Sequence, residues 1–130
     1  MNLGYTNDPR VQAAVEWQAR AITGQGEVRY YKSGTSGPGF SCMANSGQPC
    51  AWGAIKAMKA LLAVPSNQRT PLVQQALEAG AEFLLSRNPA VANYPYTGRV
   101  SSTWFKFGFP LSYWSDVLET VTMLVALGYG

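Results

Sequence analysis

The acid–base and nucleophilic potential of this chain rests on seven carboxylates and two thiols, because it contains no histidine. That absence removes the commonest general base, the commonest zinc ligand and every Ser–His or Cys–His dyad. Asp116 and Glu119 stand three residues apart in a strongly apolar stretch. At that spacing they share one face of a helix, and desolvation there would raise their pKa values toward those of general acids. The competing reading is structural: Asp116 stabilises a helix N-terminus, and the pair is hydrogen-bonded to Ser112, Ser115, Thr120 or a nearby lysine. The thiols Cys42 and Cys50 lie eight positions apart, with Cys50 opening a helical run. They read either as a thiolate activated by that helix or as half of a metal site. The alternatives are two small buried hydrophobes or a local disulfide closing a short loop. Their spacing matches no standard zinc knuckle and two ligands do not make a site, so zinc is disfavoured and no cofactor is assigned.

A third group is aromatic: Trp104, Phe105, Phe107, Phe109, Tyr113 and Trp114, with Trp52. Aromatic faces lining a cavity would stabilise a passing cation through their quadrupoles; the alternative is that they cover the ends of buried helices. The glycine-rich run from Ser33 to Gly39 lacks the Gly-Lys-Ser/Thr ending of a phosphate loop and follows no strand, so it reads as a loop.

Composition narrows the partners. The chain of 130 residues is 47% hydrophobic and only 13% charged, about half the usual quarter of charged residues. Its ten basic residues are scattered rather than clustered, which argues against a nucleic-acid groove. No apolar stretch reaches the 18 or so residues of a membrane span, and Met1-Asn2-Leu3 has no signal-peptide character. A cytoplasmic location is expected.

Four helices must position these groups. The first, over about 8–23, starts at Asn7-Asp8-Pro9 with a capping side chain and a proline suited to the first turn. It ends at Gly24, with Val11, Ala14, Val15 and Ile22 on one face. The third, over about 70–87, starts at Thr70-Pro71 and carries Val73, Ala76, Leu77, Leu84 and Leu85 as its stripe; Asn88-Pro89 closes it. The second (about 50–64) and fourth (about 112–127) are apolar almost all round, so burial on several sides is expected for both. The linking segments, about 24–49 and 88–111, exceed the usual length of structureless loops and are where a site is expected.

The helices repeat with a step of 62 residues. Pro9 recurs as Pro71, Val11-Gln12 as Val73-Gln74, Ala14, Glu16 and Ala19 as Ala76, Glu78 and Ala81, and Trp52 as Trp114. A fixed step of this size marks an array whose units bury their apolar faces against one another. Repeat 1 spans 4–65 and repeat 2 spans 66–130, within a single domain or fragment.

Gly39-Phe40, Pro49 and Trp52 lead into Ala57-x-x-Ala60-Leu61-Leu62. In the second copy Phe107-Gly108-Phe109-Pro110 and Tyr113-Trp114 lead into Leu124-Val125-Ala126-Leu127-Gly128. This pattern resembles the repeats of the terpenoid cyclase and protein prenyltransferase superfamily across nearly the whole chain. The resemblance implies an all-α fold, part of an (α/α)6 toroid in which outer amphipathic and inner apolar helices alternate. It further implies an isoprenoid or other apolar ligand in a pocket at the inner-helix ends, lined by the aromatic group above. The cyclase Asp-x-Asp-Asp acid, the Gln-x-x-x-Gly-x-Trp repeat and the zinc-binding Asp, Cys and His of the prenyltransferases are not present. The family's catalytic residues therefore have no counterparts here, and Asp116 and Glu119 are the remaining candidates.

Two readings of function follow. The first is a prenyltransferase- or cyclase-like domain handling an isoprenoid or lipid, as part of a longer protein. The second is a non-catalytic helical-repeat scaffold or protein-binding module. Four helices make one third of a twelve-helix ring, so self-association of three chains is a further expectation. A thiol- or metal-dependent enzyme using Cys42 and Cys50 is the third and least favoured reading.

Overall fold

A computed structural model of the protein describes residues 4–25, 40–42, 45–92, 94, 102–108 and 115–130. Four α-helices are present there: α1 Pro9–Thr23, α2 Ala51–Leu62, α3 Pro71–Leu85 and α4 Val117–Ala126. Short 3-10 turns at Tyr5–Asn7 and Ser66–Gln68 precede α1 and α3. No strand forms among the described residues; Ser41 and Pro49 make an isolated antiparallel bridge.

Local chemistry sets the helix starts. The Asp8 side chain accepts from Arg10 N, with Pro9 in the first turn, and Gly24 takes the left-handed conformation (φ 71°) that ends α1. Thr70 Oγ1 accepts from Val73 N at 3.3 Å ahead of Pro71. Asp116 Oδ1 accepts from Glu119 N at 2.8 Å. The last cap corrects the expected start of the fourth helix near residue 112. Asp116 is extended (φ −132°, ψ 176°) and α4 begins only at Val117; residues 112–114 lie outside the described residues.

Packing follows the repeat but not the expected depths of burial. α1 lies against α3, α3 against α2, and α2 against α4, with a smaller contact between α1 and α2. Like helices of the two repeats are therefore neighbours. Counterpart positions are buried together: Ala19 with Ala81, Ile22 with Leu84, Leu61 with Met123. The expected division into one-faced outer helices and wholly buried inner ones does not hold, however. α3, expected to be one-faced, buries Val73, Ala76, Leu77, Gly80, Ala81 and Leu84 between two neighbours. α1 carries much of the same stripe yet buries only Ala19 and Ile22. α4, expected to be enclosed, leaves Leu118, Val121 and Val125 about half exposed. A stripe fixes which face turns inward; the number of neighbours decides how much of it is covered. Leu85 also departs from expectation at 46% exposed, because it lies one position, about 100° of helical rotation, past the buried Leu84.

The α2–α3 contact depends on Gly80. A Cβ built there would lie 2.3 Å from Met58 Sδ and 2.8 Å from its Cγ. Met58 is itself fully buried, so it cannot give way by swinging into solvent. Arg69 fixes the short α2–α3 connection, donating through Nε to Val64 O (2.9 Å) and through Nη2 to Leu62 O (3.1 Å). Gly80→Ala is expected to destabilise the fold by about 1–3 kcal/mol through overpacking, despite alanine's intrinsic helix preference of ~1 kcal/mol over glycine. Met58→Val should restore part of the loss. Urea unfolding of the two single variants and the double variant measures both effects; additive behaviour would show that the two residues do not meet.

Candidate functional site

Asp116 and Glu119 are brought together, but by the architecture of a helix start. Asp116 is 2% exposed. Its side chain caps the Glu119 amide, and its carbonyl accepts from Thr120 N (3.1 Å) and Thr120 Oγ1 (2.9 Å). The start of α4 is held from outside as well, since Val117 N donates to Trp104 O at 3.0 Å. An Asp-x-x-Glu start commonly forms a capping box, with the acid reaching back to the cap. Here the Glu119 carboxylate turns the other way, to α2.

On α2 it meets the helix's two cations. Lys56 Nζ donates to Oε1 and Oε2 at 3.1 and 2.9 Å, and Lys59 Nζ to Oε1 at 2.8 Å. The Glu119 side chain is 4% exposed, against 32% for Lys56 and 58% for Lys59. Burial is the largest single influence on this carboxyl and pushes its pKa up. The hydrogen bonds from Lys59 and Lys56, together with the Lys56 charge, outweigh it and hold the group below its ordinary 4.5. Ser115, fully buried alongside, adds the last and smallest lowering influence. Its Oγ makes no well-formed hydrogen bond among the described residues. The direction is opposite to that of a general acid: at neutral pH Glu119 is a carboxylate shared between two ammonium groups, a clamp joining α4 to α2. Lys56 and Lys59 did not figure among the sequence-derived site residues. Their signal was present all the same, as the only two charges on α2, facing the only charge on α4.

The cysteines occupy a tight loop ahead of α2. Cys42 N donates to Gln48 O (3.1 Å) and Cys50 N to Phe40 O (2.9 Å), leaving Ser41 and Pro49 as the pair without ladder bonds. A proline is tolerated there because no N–H is required of it. Gly47, at φ 77°, turns the loop. Both cysteines are free and half-buried. Burial is the main cause that pushes the Cys50 thiol up, and neighbouring Cys42 adds to it; the Trp52 and Gly53 amides at the α2 N-terminus act the other way and are outweighed. Helix-terminal activation thus does not prevail at Cys50. Among the described residues no three His, Cys, Asp or Glu side chains converge on a point that could hold a metal ion.

The aromatic residues separate. Trp104 is buried, its Nε1 donating to Pro89 O at 2.8 Å and its ring 5.5 Å from that of Tyr94. Tyr94 continues to Phe83 (5.8 Å) and Phe83 to Phe40 (5.7 Å). Tyr94 Oη donates to Leu84 O, and burial pushes its pKa up to about 12. This is a stack covering the C-terminal end of α3. Trp52 packs half-buried against the core, whereas Phe105 and Phe107 are 49% and 70% exposed. Phe109, Tyr113 and Trp114 lie outside the described residues.

A groove of about 720 Å³ opens elsewhere, between α1, the Ser66–Gln68 turn and the start of α3. Val11, Val15, Val64, Leu72 and Val73 give it an apolar floor, and Gln12, Glu16, Arg20 and Gln75 border it. It exists where α1 leaves uncovered the half-stripe whose counterpart in α3 is buried. None of the sequence-derived site residues lines it.

No protein-family profile, curated protein or solved structure matches the chain. No helix among the described residues is long and apolar enough to cross a membrane.

Two consequences of the clamp are measurable. Replacing both lysines by Met strands a buried carboxylate and is expected to cost about 3–5 kcal/mol. Glu119→Gln leaves the two more exposed lysines free to hydrate, at a cost of about 1–2 kcal/mol. Chemical denaturation of both variants checks the order; a larger loss for Glu119→Gln would contradict the burial asymmetry.

The second consequence concerns pH. The folded pKa of Glu119 lies below its ordinary value, so its contribution is present in full above that value, 4.5. It is lost as pH falls through the lower folded pKa. The melting-temperature gap between wild type and Glu119→Gln should hold at neutral pH and close in acid. A gap that widens in acid would reverse the assigned sign.

Proposed function

We propose that the chain is a non-catalytic helical-repeat module that works by binding, two units of an α/α array like those of terpenoid cyclases and protein prenyltransferases. The observation that carries this reading is that the groove among the described residues lies apart from the reactive groups. The groove between α1 and α3 is lined by neither Asp116, Glu119, Cys42 nor Cys50. The buried carboxylate that the sequence offers for chemistry is engaged by two lysines. Pairing of α1 with α3 and of α2 with α4 supports the array, since each unit covers its neighbour's apolar face.

A second reading, handling of an isoprenoid or similar apolar ligand, draws support from that same groove. Its volume of about 720 Å³ is within the range of small-molecule sites, and apolar walls with a few polar rim groups suit such ligands. In this reading Arg20 at the rim would meet an anionic headgroup, although it already pairs with Glu16 at 2.7 Å.

One experiment separates the two. Native mass spectrometry and thermal shift are run with farnesyl and geranylgeranyl diphosphate. The binding-module reading expects no retained ligand and no change in melting temperature. One ligand retained per chain, and lost in Val15→Asp, would overturn it in favour of the isoprenoid reading.

A further inference from the structure

The loop ahead of α2 sets its two cysteines side by side. Cys42 N donates to Gln48 O at 3.1 Å and Cys50 N to Phe40 O at 2.9 Å, on either side of the Ser41–Pro49 pair. Side chains alternate along an extended segment, so Cys42 and Cys50 project from the same face, opposite to Ser41 and Pro49. They are diagonal neighbours there, a relation that places Cα atoms ~7–8 Å apart and Cβ atoms closer. Their thiols lie within hydrogen-bonding reach of each other, and both are free.

The loop keeps this shape through its own hydrogen bonds. Cys42 O accepts from Asn45 N (3.0 Å) and Gly47 N (2.9 Å), and Gln48 N donates to Asn45 O (3.0 Å). The buried Asn45 donates through Nδ2 to Pro49 O at 2.9 Å. Ser46 and Gly47 take positive φ (54° and 77°) to close the turn. The sulfurs are therefore presented to each other before any bond forms. Disulfides span Cα atoms up to ~6.8 Å apart, so joining the pair asks for a shift of about an ångström from the diagonal spacing. Cys50 occupies the N-cap position of α2, and the Phe40 ring stacks on Phe83 of α3 at 5.7 Å. A bond here would tie the start of α2 to the segment that carries Phe40.

We infer that Cys42 and Cys50 form a reversible dithiol–disulfide pair, oxidised by small-molecule disulfides such as oxidised glutathione. One cysteine, as its thiolate, attacks a sulfur of the oxidant. A mixed disulfide forms, and the oxidant's own S–S bond breaks to release one small thiolate. The other cysteine then loses its proton and attacks the protein-side sulfur of the mixed disulfide, releasing the second small thiolate. Two electrons pass from the protein to the oxidant, and the two cysteine protons end on the two released thiols. Burial, together with Cys42, holds the Cys50 thiol above its ordinary pKa; because only the thiolate attacks, the exchange is slow at neutral pH. The pair acts as a lock on the α2 start, closed under oxidising conditions and open under reducing ones. This inference goes beyond the binding-module reading and rests on neither that reading nor the groove.

The test equilibrates the whole chain with mixtures of reduced and oxidised glutathione, followed by alkylation and mass spectrometry. The oxidised product should be a monomer lighter by two hydrogens that takes up no alkylating group, whereas the reduced chain takes up two. The same titration in urea asks whether the fold brings the thiols together: the effective concentration of one thiol for the other should fall by at least about tenfold on unfolding. By the same linkage the oxidised protein should melt higher, by roughly 5–10 °C. Cys42→Ser and Cys50→Ser should each stop at a single glutathione adduct and lose that shift. The wild-type titration involves no substitution, so poor folding of a serine variant would leave it intact. Glutathione adducts persisting on both cysteines, a disulfide-linked dimer, an effective concentration unchanged by urea, or a melting temperature lowered by oxidation would each overturn the pairing.

Discussion

The close approach of α2 to α3 at Gly80 governs the rest of the structure. Met58 occupies the space that a Cβ at residue 80 would take, and this allows α3 to bury one side against α2 while α1 covers another. Each large side chain buried there contributes about 1.5–3 kcal/mol, so Ile55, Leu61, Leu77 and Leu84, all fully buried, form the cohesive centre. α1 and α4 are attached to this pair from opposite partners, α1 through α3 and α4 through α2. The two helices in the middle are thus the second and third in sequence, and α2 touches all three others. That order follows when two hairpins of one repeat place their like helices side by side.

Much of this was legible in the sequence wherever the determining chemistry is local. Asp8, Thr70-Pro71 and Gly24 mark helix boundaries because a cap needs only its neighbouring backbone. The all-helical class and most of the buried side of α3 follow from apolar spacing alone, whereas of the face expected of α1 only Ile22 is buried. The depth of burial did not follow. Val11 and Val73 are the same residue in the same register, yet Val11 is 38% exposed and Val73 2%; the difference is made by α2, which packs along α3 and only lightly touches α1. The start of α4 was misplaced for a related reason. The run from Ser112 onward is apolar enough to be helical, but Asp116 adopts an extended conformation to cap, and a cap buried among tertiary partners leaves no periodic signal.

The candidate site shows the same limit in chemical form. The spacing of Asp116 and Glu119 correctly placed them on one helix start, but spacing cannot show what lies across from a side chain. Two cations from α2 outweigh the upward push of burial on this carboxyl and hold it as a stable anion. The residues that decide its state are about 60 positions away, beyond the reach of any local motif. Trp104 follows suit. Its aromatic character suggested a pocket wall, whereas its indole N–H and backbone carbonyl are spent on Pro89 and Val117, which makes it a support for α4.

A salt bridge is an unusual way to join two apolar helices, and its value here is directional. Hydrophobic contact between smooth helices specifies register weakly, and buried polar pairs are best attested as devices that fix it. Glu119 can meet both Lys56 and Lys59 in one alignment of α4 along α2, since the two lysines lie one helical turn apart and the carboxylate must lie between them. Such a clamp serves the contact within a chain, where register has to be unique. The outward face of α4 carries no such pair, only Leu118, Val121 and Val125, each about half exposed, and an apolar stripe of this kind would fix no register.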